Sequence, residues 1–257
     1  MDSCILVEQK DGIGYLTLNR PEQRNPLSVT MMTELTEALR AFGADGAVAT
    51  VVIRAEGKVF SAGHDLSELV DRTLDDERAI FGVCTELMET IQRIPQPVLA
   101  SVQGPAVAAG CQLVATCDLA VAAPRAVFGT PGVKIGLFCS TPMVAVSRAI
   151  GRKRAMQLLL TGATIDAETA ADWGLINEVV AADALAERTA ELAAAIANAS
   201  SSTLRIGKQA FYQQIDLPQA AAYEQMGEVM ATNAMTCDAQ EGMHAFLEKR
   251  PPVWQGR

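Results

Sequence analysis

Two stretches of the chain, VVIRAEGKVFSAGHDL at residues 51–66 and VLASVQGPAVAAGCQL at residues 98–113, share one internal pattern. They align without gaps at an offset of 47 residues, and five positions are identical. Each stretch begins with an apolar run, passes through a glycine and ends in Ala-Gly before a segment typical of a helix. The repeat predicts two units of strand, glycine turn and helix.

Both units bring small residues to the N-terminus of a helix. There the backbone N–H groups lack intrahelical partners and the helix dipole is positive. Two such helix termini that converge on one point would form an oxyanion hole, which stabilises negative charge on a carbonyl oxygen. A second interpretation is that each Ala-Gly pair only lets a helix pack closely on a strand. The repeat alone leaves both interpretations open.

The hydrophobic patterns elsewhere indicate alternating strands and helices, followed by helices alone. The predicted strands cover residues 5–8, 13–19, 49–55, 98–102, 117–122 and 175–180. The predicted helices in this part cover residues 28–42, 75–94 and 166–173. Beyond them, helices are predicted at residues 183–199, 202–214, 218–235 and 238–249. This order predicts an α/β domain followed by a helical region.

Composition narrows the classes of function. The 257 residues carry a formal net charge of −9, and the basic residues are dispersed, which argues against a nucleic-acid partner. The six cysteines form no C-x-x-C pair and mostly lie within or beside apolar runs, as is typical of reduced thiols. No apolar run approaches the roughly 18 residues that cross a membrane, and the N-terminus has no features of a targeting segment. We therefore expect a cytoplasmic protein without a membrane partner.

Five motifs occur along the chain: NRPEQRNPLS (19–28), FSAGHDL (60–66), PAVAAGCQLVATCDLAVA (105–122), FGTPGVKIGLF (128–138) and ATIDAETAADWGLINEVV (163–180). In sequence and order they resemble the enoyl-CoA hydratase/isomerase, or crotonase, superfamily. The resemblance implies an α/β fold in which a spiral of ββα units precedes a C-terminal helical trimerisation region. It also implies a core at residues 1–199, a helical oligomerisation region at residues 200–257, and assembly as a trimer or a dimer of trimers.

The resemblance also implies an acyl-CoA thioester as the partner and an enzyme of the carbon–oxygen lyase or isomerase class. The two oxyanion-hole donors would be the backbone amides of His64 and Ala109. No metal or organic cofactor is expected, because coenzyme A enters as part of the substrate. The expected contacts to coenzyme A are Arg24, Ala62, His64, Leu66, Gly110 and Lys249.

The chain departs from the family pattern at both catalytic carboxylates. Family hydratases use two glutamates to activate water and to move its protons. Their positions hold Gln112 and Gly132 here, and neither residue exchanges a proton at neutral pH. Hydratase activity is therefore doubtful. Three alternatives stay open: isomerisation, another crotonase-type reaction such as thioester hydrolysis or decarboxylation, and binding of acyl-CoA without catalysis.

Three side chains are candidates to replace the lost carboxylates. The His64 imidazole competes with the interpretation that this residue contributes only its amide. Asp65 is expected to cap a helix rather than to do chemistry. Cys139 is a candidate nucleophile for thioester hydrolysis, although only His64 and His244 are available as imidazole bases.

Overall fold

The computed structural model describes residues 3–257. Strands β1 (Ile5–Lys10) and β2 (Ile13–Leu18) form an antiparallel hairpin. Asp11 and Gly12 connect them with φ angles of 52° and 76°, the backbone that tight hairpin turns require. Four parallel strands extend the sheet in the order β1-β2-β3-β4-β6-β9. They are β3 (Thr50–Ala55), β4 (Val98–Val102), β6 (Leu119–Ala122) and β9 (Glu178–Val179). A second sheet joins β5 (Ala106–Val107), β7 (Val127–Gly129) and β8 (Thr164–Asp166).

The two repeated stretches lie side by side. Strands β3 and β4 are parallel neighbours, and their register pairs Val51 with Val98 and Val52 with Leu99. The gapless alignment of the sequence makes the same pairs. Beyond the strands, an isolated bridge joins Ser61 to Ala106, so the chain segments that follow β3 and β4 also meet. The strands of the repeat are therefore neighbours in space, but the helix predicted after the first Ala-Gly pair is wrong. Only the short 3₁₀ helix Leu66–Glu68 follows Ala62-Gly63, whereas Ala109 begins an α-helix.

Helices α1 (Val29–Ala44) and α2 (Leu74–Arg93) pack against each other on the first sheet. The Ser28 hydroxyl accepts a hydrogen bond from the amide of Met31 and caps α1. Thr73 and Asp76 form a capping box at the start of α2. The other helices of this part are α3 (Ala109–Thr116), α4 (Pro142–Ile150), α5 (Arg152–Thr161) and α6 (Ala167–Trp173).

Four helices follow: α7 (Leu185–Ala197), α8 (Ser201–Gln214), α9 (Gln219–Ala234) and α10 (Cys237–Glu248). Helix α8 is fixed to the sheet by the buried Lys208, whose Nζ lies 2.7 Å from Asp118 Oδ2. The Tyr212 hydroxyl donates to the other oxygen of Asp118 at 2.7 Å. Because a buried ammonium needs a charged partner, this cluster fastens the helical region to the rest of the fold.

Most predicted elements agree with the structure within two residues, and the predicted α/β architecture is confirmed. Strand β6 begins at Leu119 rather than at residue 117, because Cys117 still donates to the last carbonyls of α3. The strand predicted at residues 175–180 is limited to Glu178–Val179. Helices α4 and α5 were not predicted, and Gly151, with a φ angle of 77°, separates them.

Candidate active site

A cavity with a volume of about 960 Å³ opens between the two repeated units. Three loops near residues 22–26, 62–67 and 131–142 line it, together with Phe81, Ala108 and Ala109. Leu137, Phe138 and Ile135 form an apolar part of its wall, whereas Arg24 and Lys134 bring positive charge. A large, mostly apolar cavity with few polar groups is the usual form of a small-molecule site.

The two predicted oxyanion-hole residues lie at the same wall of this cavity. Ala109 is the first residue of α3, where a backbone N–H has no intrahelical acceptor. A Cβ atom added to Gly63 would lie 3.3 Å from the nitrogen of Ala109, so the residue before His64 touches this helix terminus. Within residues 3–257 neither of the amides of His64 and Ala109 donates a hydrogen bond. The fold thus brings two free donors together.

Backbone hydrogen bonds from the loop before α1 hold the first donor segment. The amide of Ala62 donates to the carbonyl of Arg24 at 3.0 Å, and the amide of Leu27 donates to the carbonyl of Gly63 at 2.8 Å. Arg24 has a φ angle of 66°, and this left-handed turn directs the loop along the cavity. Arg24, Ala62 and Leu66 all line the cavity. Their contacts to coenzyme A stay a prediction.

The residue before Ala109 has an unusual backbone. Ala108 has φ 51° and ψ −121°, a conformation that glycine adopts far more readily than alanine. Its amide donates to Gly129 at 2.9 Å, and its carbonyl accepts from Gln112 at 3.1 Å. A residue held in such a region costs of order 1–3 kcal/mol, and such residues cluster at functional sites. The start of α3 is therefore strained.

The imidazole of His64 is packed rather than exposed. Its ring meets that of Phe81 edge to face, with 5.3 Å between centroids. Burial lowers the pKa of His64 below its ordinary value of 6.5, and the backbone of Leu27 offsets part of that effect. Neither ring nitrogen makes a well-formed hydrogen bond to another described residue. His64 is thus neutral at physiological pH.

Gln112, at the first glutamate position, is buried in α3 and does not line the cavity. Its side-chain oxygen lies 3.9 Å from the thiol of Cys84. The adjacent Cys111 is also buried, and burial raises the pKa of its thiol to about 12. The surroundings of Gln112 are therefore apolar, and they disfavour an ionised side chain.

Gly132, at the second glutamate position, lines the cavity, but it has no space for a side chain. A Cβ atom at this position would lie 2.1 Å from the carbonyl oxygen of Leu137 and 2.8 Å from the sulfur of Cys139. Its φ angle is not positive, so the obstacle is the neighbouring loop rather than the backbone conformation. The carbonyl of Leu137 therefore occupies the place where a side chain at position 132 would begin. The sequence contained no signal for this.

The other candidate residues are placed as follows. Asp65 accepts from the amide of Ser67 at 3.0 Å and caps a short 3₁₀ helix, as predicted. Cys139, Ser140 and Thr141 line the cavity, and burial raises the pKa of the Cys139 thiol, which keeps it protonated.

Two predicted contacts to coenzyme A do not line the cavity of their own chain. Gly110 is buried behind Ser61, and Lys249 is exposed at the end of α10. Within residues 3–257 no three His, Cys, Asp or Glu side chains form a metal-binding cluster.

The family model described as enoyl-CoA hydratase/isomerase matches residues 8–257. The chain therefore belongs to the enoyl-CoA hydratase/isomerase family. The solved structure of an enoyl-CoA hydratase from Mycobacterium smegmatis superimposes with a TM-score of 0.96 at 44% identity, covering 98% of this chain and 99% of that one. The crotonase fold expected from the motifs is thus confirmed.

Within the family, the strings GHDL (63–66), VKIGLFCSTP (133–142) and QEGMHAFLEKRPPVW (240–254) resemble the group named enoyl-CoA hydratase domain-containing protein 3. The chain is 45% identical to the Danio rerio protein of that name over 253 residues, or 98% of this chain and 88% of the relative. The Homo sapiens protein is 44% identical over 247 residues, or 96% and 82%. The solved human structure has a TM-score of 0.95 at 42% identity, covering 98% of this chain and all of that one.

These vertebrate relatives carry the word mitochondrial in their names. No helix among residues 3–257 has the length and apolar character needed to cross a membrane. The cytoplasmic location expected from the sequence has no support from the relatives and stays a prediction.

Proposed function

We propose that the protein binds acyl-CoA thioesters in the 960 Å³ cavity and holds the thioester oxygen between the amides of His64 and Ala109. The observation that carries this proposal is that His64 and Ala109 both line the cavity. A Cβ atom added to Gly63, the residue before His64, would lie 3.3 Å from the nitrogen of Ala109, so the two donor segments are neighbours. Coenzyme A enters as part of the substrate, along Arg24, Ala62 and Leu66. The chemistry requires no metal or further cofactor.

The physical basis is stabilisation of charge. A thioester oxygen becomes negative when the substrate forms an enolate or a tetrahedral adduct. Two fixed N–H donors stabilise that oxygen without reorganisation, each contributing about 2.7–4 kcal/mol in known oxyanion holes. The apolar wall that includes Leu137 and Phe138 excludes water and strengthens both interactions.

The proposal excludes efficient hydration of short 2-enoyl-CoAs. Addition of water needs a base for the water and an acid for the α-carbon, and these typically contribute about 10²–10⁴-fold. Gln112 supplies neither group. Gly132 has no side chain, and the carbonyl of Leu137 fills the place where one would begin. The hole alone leaves only slow turnover.

The blocked carboxylate position favours a second class of reaction on the same site. Isomerisation, thioester hydrolysis and decarboxylation all pass through oxyanions, and by family analogy all occur on this fold. Binding of acyl-CoA without turnover is the remaining alternative. The raised pKa of the Cys139 thiol argues against hydrolysis through a thiolate, because only the thiolate is strongly nucleophilic.

Turnover and binding of crotonyl-CoA by the wild-type protein test this proposal. We expect the dissociation constant for crotonyl-CoA to be measurable by calorimetry and the rate of hydration to be far below ordinary enzymatic values. A kcat of roughly 1–10³ s⁻¹ would show that another residue carries the acid–base work. Absence of any binding would overturn the acyl-CoA assignment itself. A panel of other acyl-CoAs, analysed for products, separates a different reaction from binding alone.

We also propose that the chain assembles with itself through its helical region. Helix α9 has 16 residues, and none of them is buried within the single chain. Large apolar side chains are exposed along α9 and α10, including Tyr223, Met230, Phe246 and Leu247. An apolar surface of this kind marks an interface. Light scattering should give a trimer or hexamer, and a monomer of 27.3 kDa would contradict the proposal.

A further inference from the structure

Ala108 belongs to the second donor segment and contacts the first donor segment at Gly63. Its methyl group faces Gly63, because a Cβ atom added to Gly63 would lie only 2.8 Å from it. The absence of a side chain at Gly63 therefore leaves the space that this methyl group occupies. Ala108 itself lines the cavity and immediately precedes Ala109.

The strained backbone of Ala108 is fixed on both sides. Its amide donates to Gly129 at 2.9 Å, and the amide of the preceding Val107 donates to Ser61 at 3.0 Å. Its carbonyl accepts from Gln112 in the first turn of α3 at 3.1 Å. A glycine would adopt φ 51° and ψ −121° with little strain, yet the chain has alanine there. Relief of strain alone would favour glycine.

We infer that Ala108 is a positioning residue whose methyl group fixes the separation between the amides of His64 and Ala109. It does so by filling the contact with Gly63, so that the two donor segments cannot approach or rotate. The inference rests on the proposed oxyanion hole. A loose pair of donors polarises a carbonyl less than a fixed pair does. The methyl group of Ala108 thus has a function that glycine at this position would not supply.

Ala108→Gly removes the methyl group and the strain together. We expect the melting temperature to stay the same or to rise by about 2–4 °C, because relief of strain opposes the greater freedom of glycine in the unfolded chain. We expect the donors to become less ordered. A residue needed only for packing would instead lower the melting temperature when truncated.

Infrared difference spectra of crotonyl-CoA, labelled with ¹³C at the thioester carbonyl, report polarisation by the donors without requiring turnover. Bound to the wild type, the carbonyl stretch should move to lower wavenumber than in water. Bound to Ala108→Gly, it should lose most of that shift and broaden. Ala115→Gly, in the same helix, is the matched control and should lower the melting temperature while the band stays as in the wild type.

The outcomes separate the inference from the function on which it rests. If the wild type binds the probe without any shift of the carbonyl band, the proposed oxyanion hole is wrong. If the wild type shows the shift and Ala108→Gly shows the same position and width, the hole stands and the role of Ala108 is wrong. A melting temperature lowered by Ala108→Gly together with an unchanged carbonyl band would assign the methyl group to packing alone.

Discussion

The two sides of the cavity depend on different parts of the chain. On one side, the donors at His64 and Ala109 belong to the backbone, and their approach is set by Gly63 and the start of α3. The acid–base groups of the family are instead side chains, and their positions hold Gln112, which is buried behind the cavity, and Gly132, which lines it. A backbone donor persists through changes of side chain as long as the fold persists. A carboxylate is lost with one substitution.

The position of the second carboxylate is also blocked by neighbouring atoms. The carbonyl oxygen of Leu137 lies where a side chain at Gly132 would begin, and the thiol of Cys139 lies beside it. Reintroducing glutamate at that position therefore meets the backbone of the loop, so Gln112→Glu with Gly132→Glu is not expected to restore hydration. The two sides therefore differ: the backbone donors are available, whereas the second carboxylate position has no room for a side chain.

Removing a backbone donor should have the largest effect. Ala109→Pro deletes the N–H group at the first position of a helix, where proline is accepted. Because proline also restricts the backbone of the residue before it, here Ala108, the melting temperature of the variant is measured together with its activity. We expect any turnover found with a panel of acyl-CoAs to fall about 10²–10³-fold, with a smaller change in substrate affinity. Steady-state kinetics measure this. Ala109→Gly retains the N–H group and should keep most of the activity; an equal loss in both variants would contradict a role for the amide.

Adding a single methyl group at Gly132 should destabilise the protein. Gly132→Ala places a Cβ atom against the carbonyl of Leu137, and overpacking of this kind typically costs about 1–3 kcal/mol. Urea unfolding at fixed protein concentration measures the change in the free energy of unfolding. Gly46→Ala is the matched control, because nothing lies within 4 Å of the added atom. Equal stability of the two variants would show that the loop opens without cost.

The smallest effect concerns the imidazole of His64. Its folded pKa is lowered by burial, so protonation below the ordinary pKa of 6.5 favours the unfolded chain. The stabilising contribution is present above pH 6.5 and is lost as the pH falls below it, with a slope of at most about 1.4 kcal/mol per pH unit. His64→Phe should flatten this part of the stability profile. An unchanged profile in His64→Phe would place the ring in solvent.

Much of the fold was predictable because the sequence contains local signals for it. Capping residues, an Asp-Gly turn and hydrophobic periodicity located most elements, and the offset between the repeated stretches is the register of β3 against β4. Helices α4 and α5 were not predicted because neither has a side-chain N-cap, the local signal that marks the start of other helices here. Short strands such as β5 and β8 are defined by partners far along the chain, which local patterns do not reveal.

The residue types of the candidate site were predictable from the sequence, whereas the room available for each side chain was not. The Ala-Gly pairs located the two chain segments, and the resemblance to the family assigned His64 and Ala109 within them. The replacement of the two family glutamates by Gln112 and Gly132 was visible in the sequence. The lack of room at Gly132 was not, because it depends on a contact with Leu137 that forms only in the folded chain. The strain at Ala108 was hidden for the same reason, since alanine gives no local signal for a positive φ angle.

The distribution of the cysteines makes the native chain suitable for site-specific labelling. Cys237, at the start of α10, is exposed, whereas the other five cysteines are buried. A maleimide spin label should therefore react at one position of the helical region without any engineered substitution. In a closed three-fold ring all label–label distances are equal by symmetry. Pulsed electron paramagnetic resonance would then give a single distance, and stacking of two rings would add further distances.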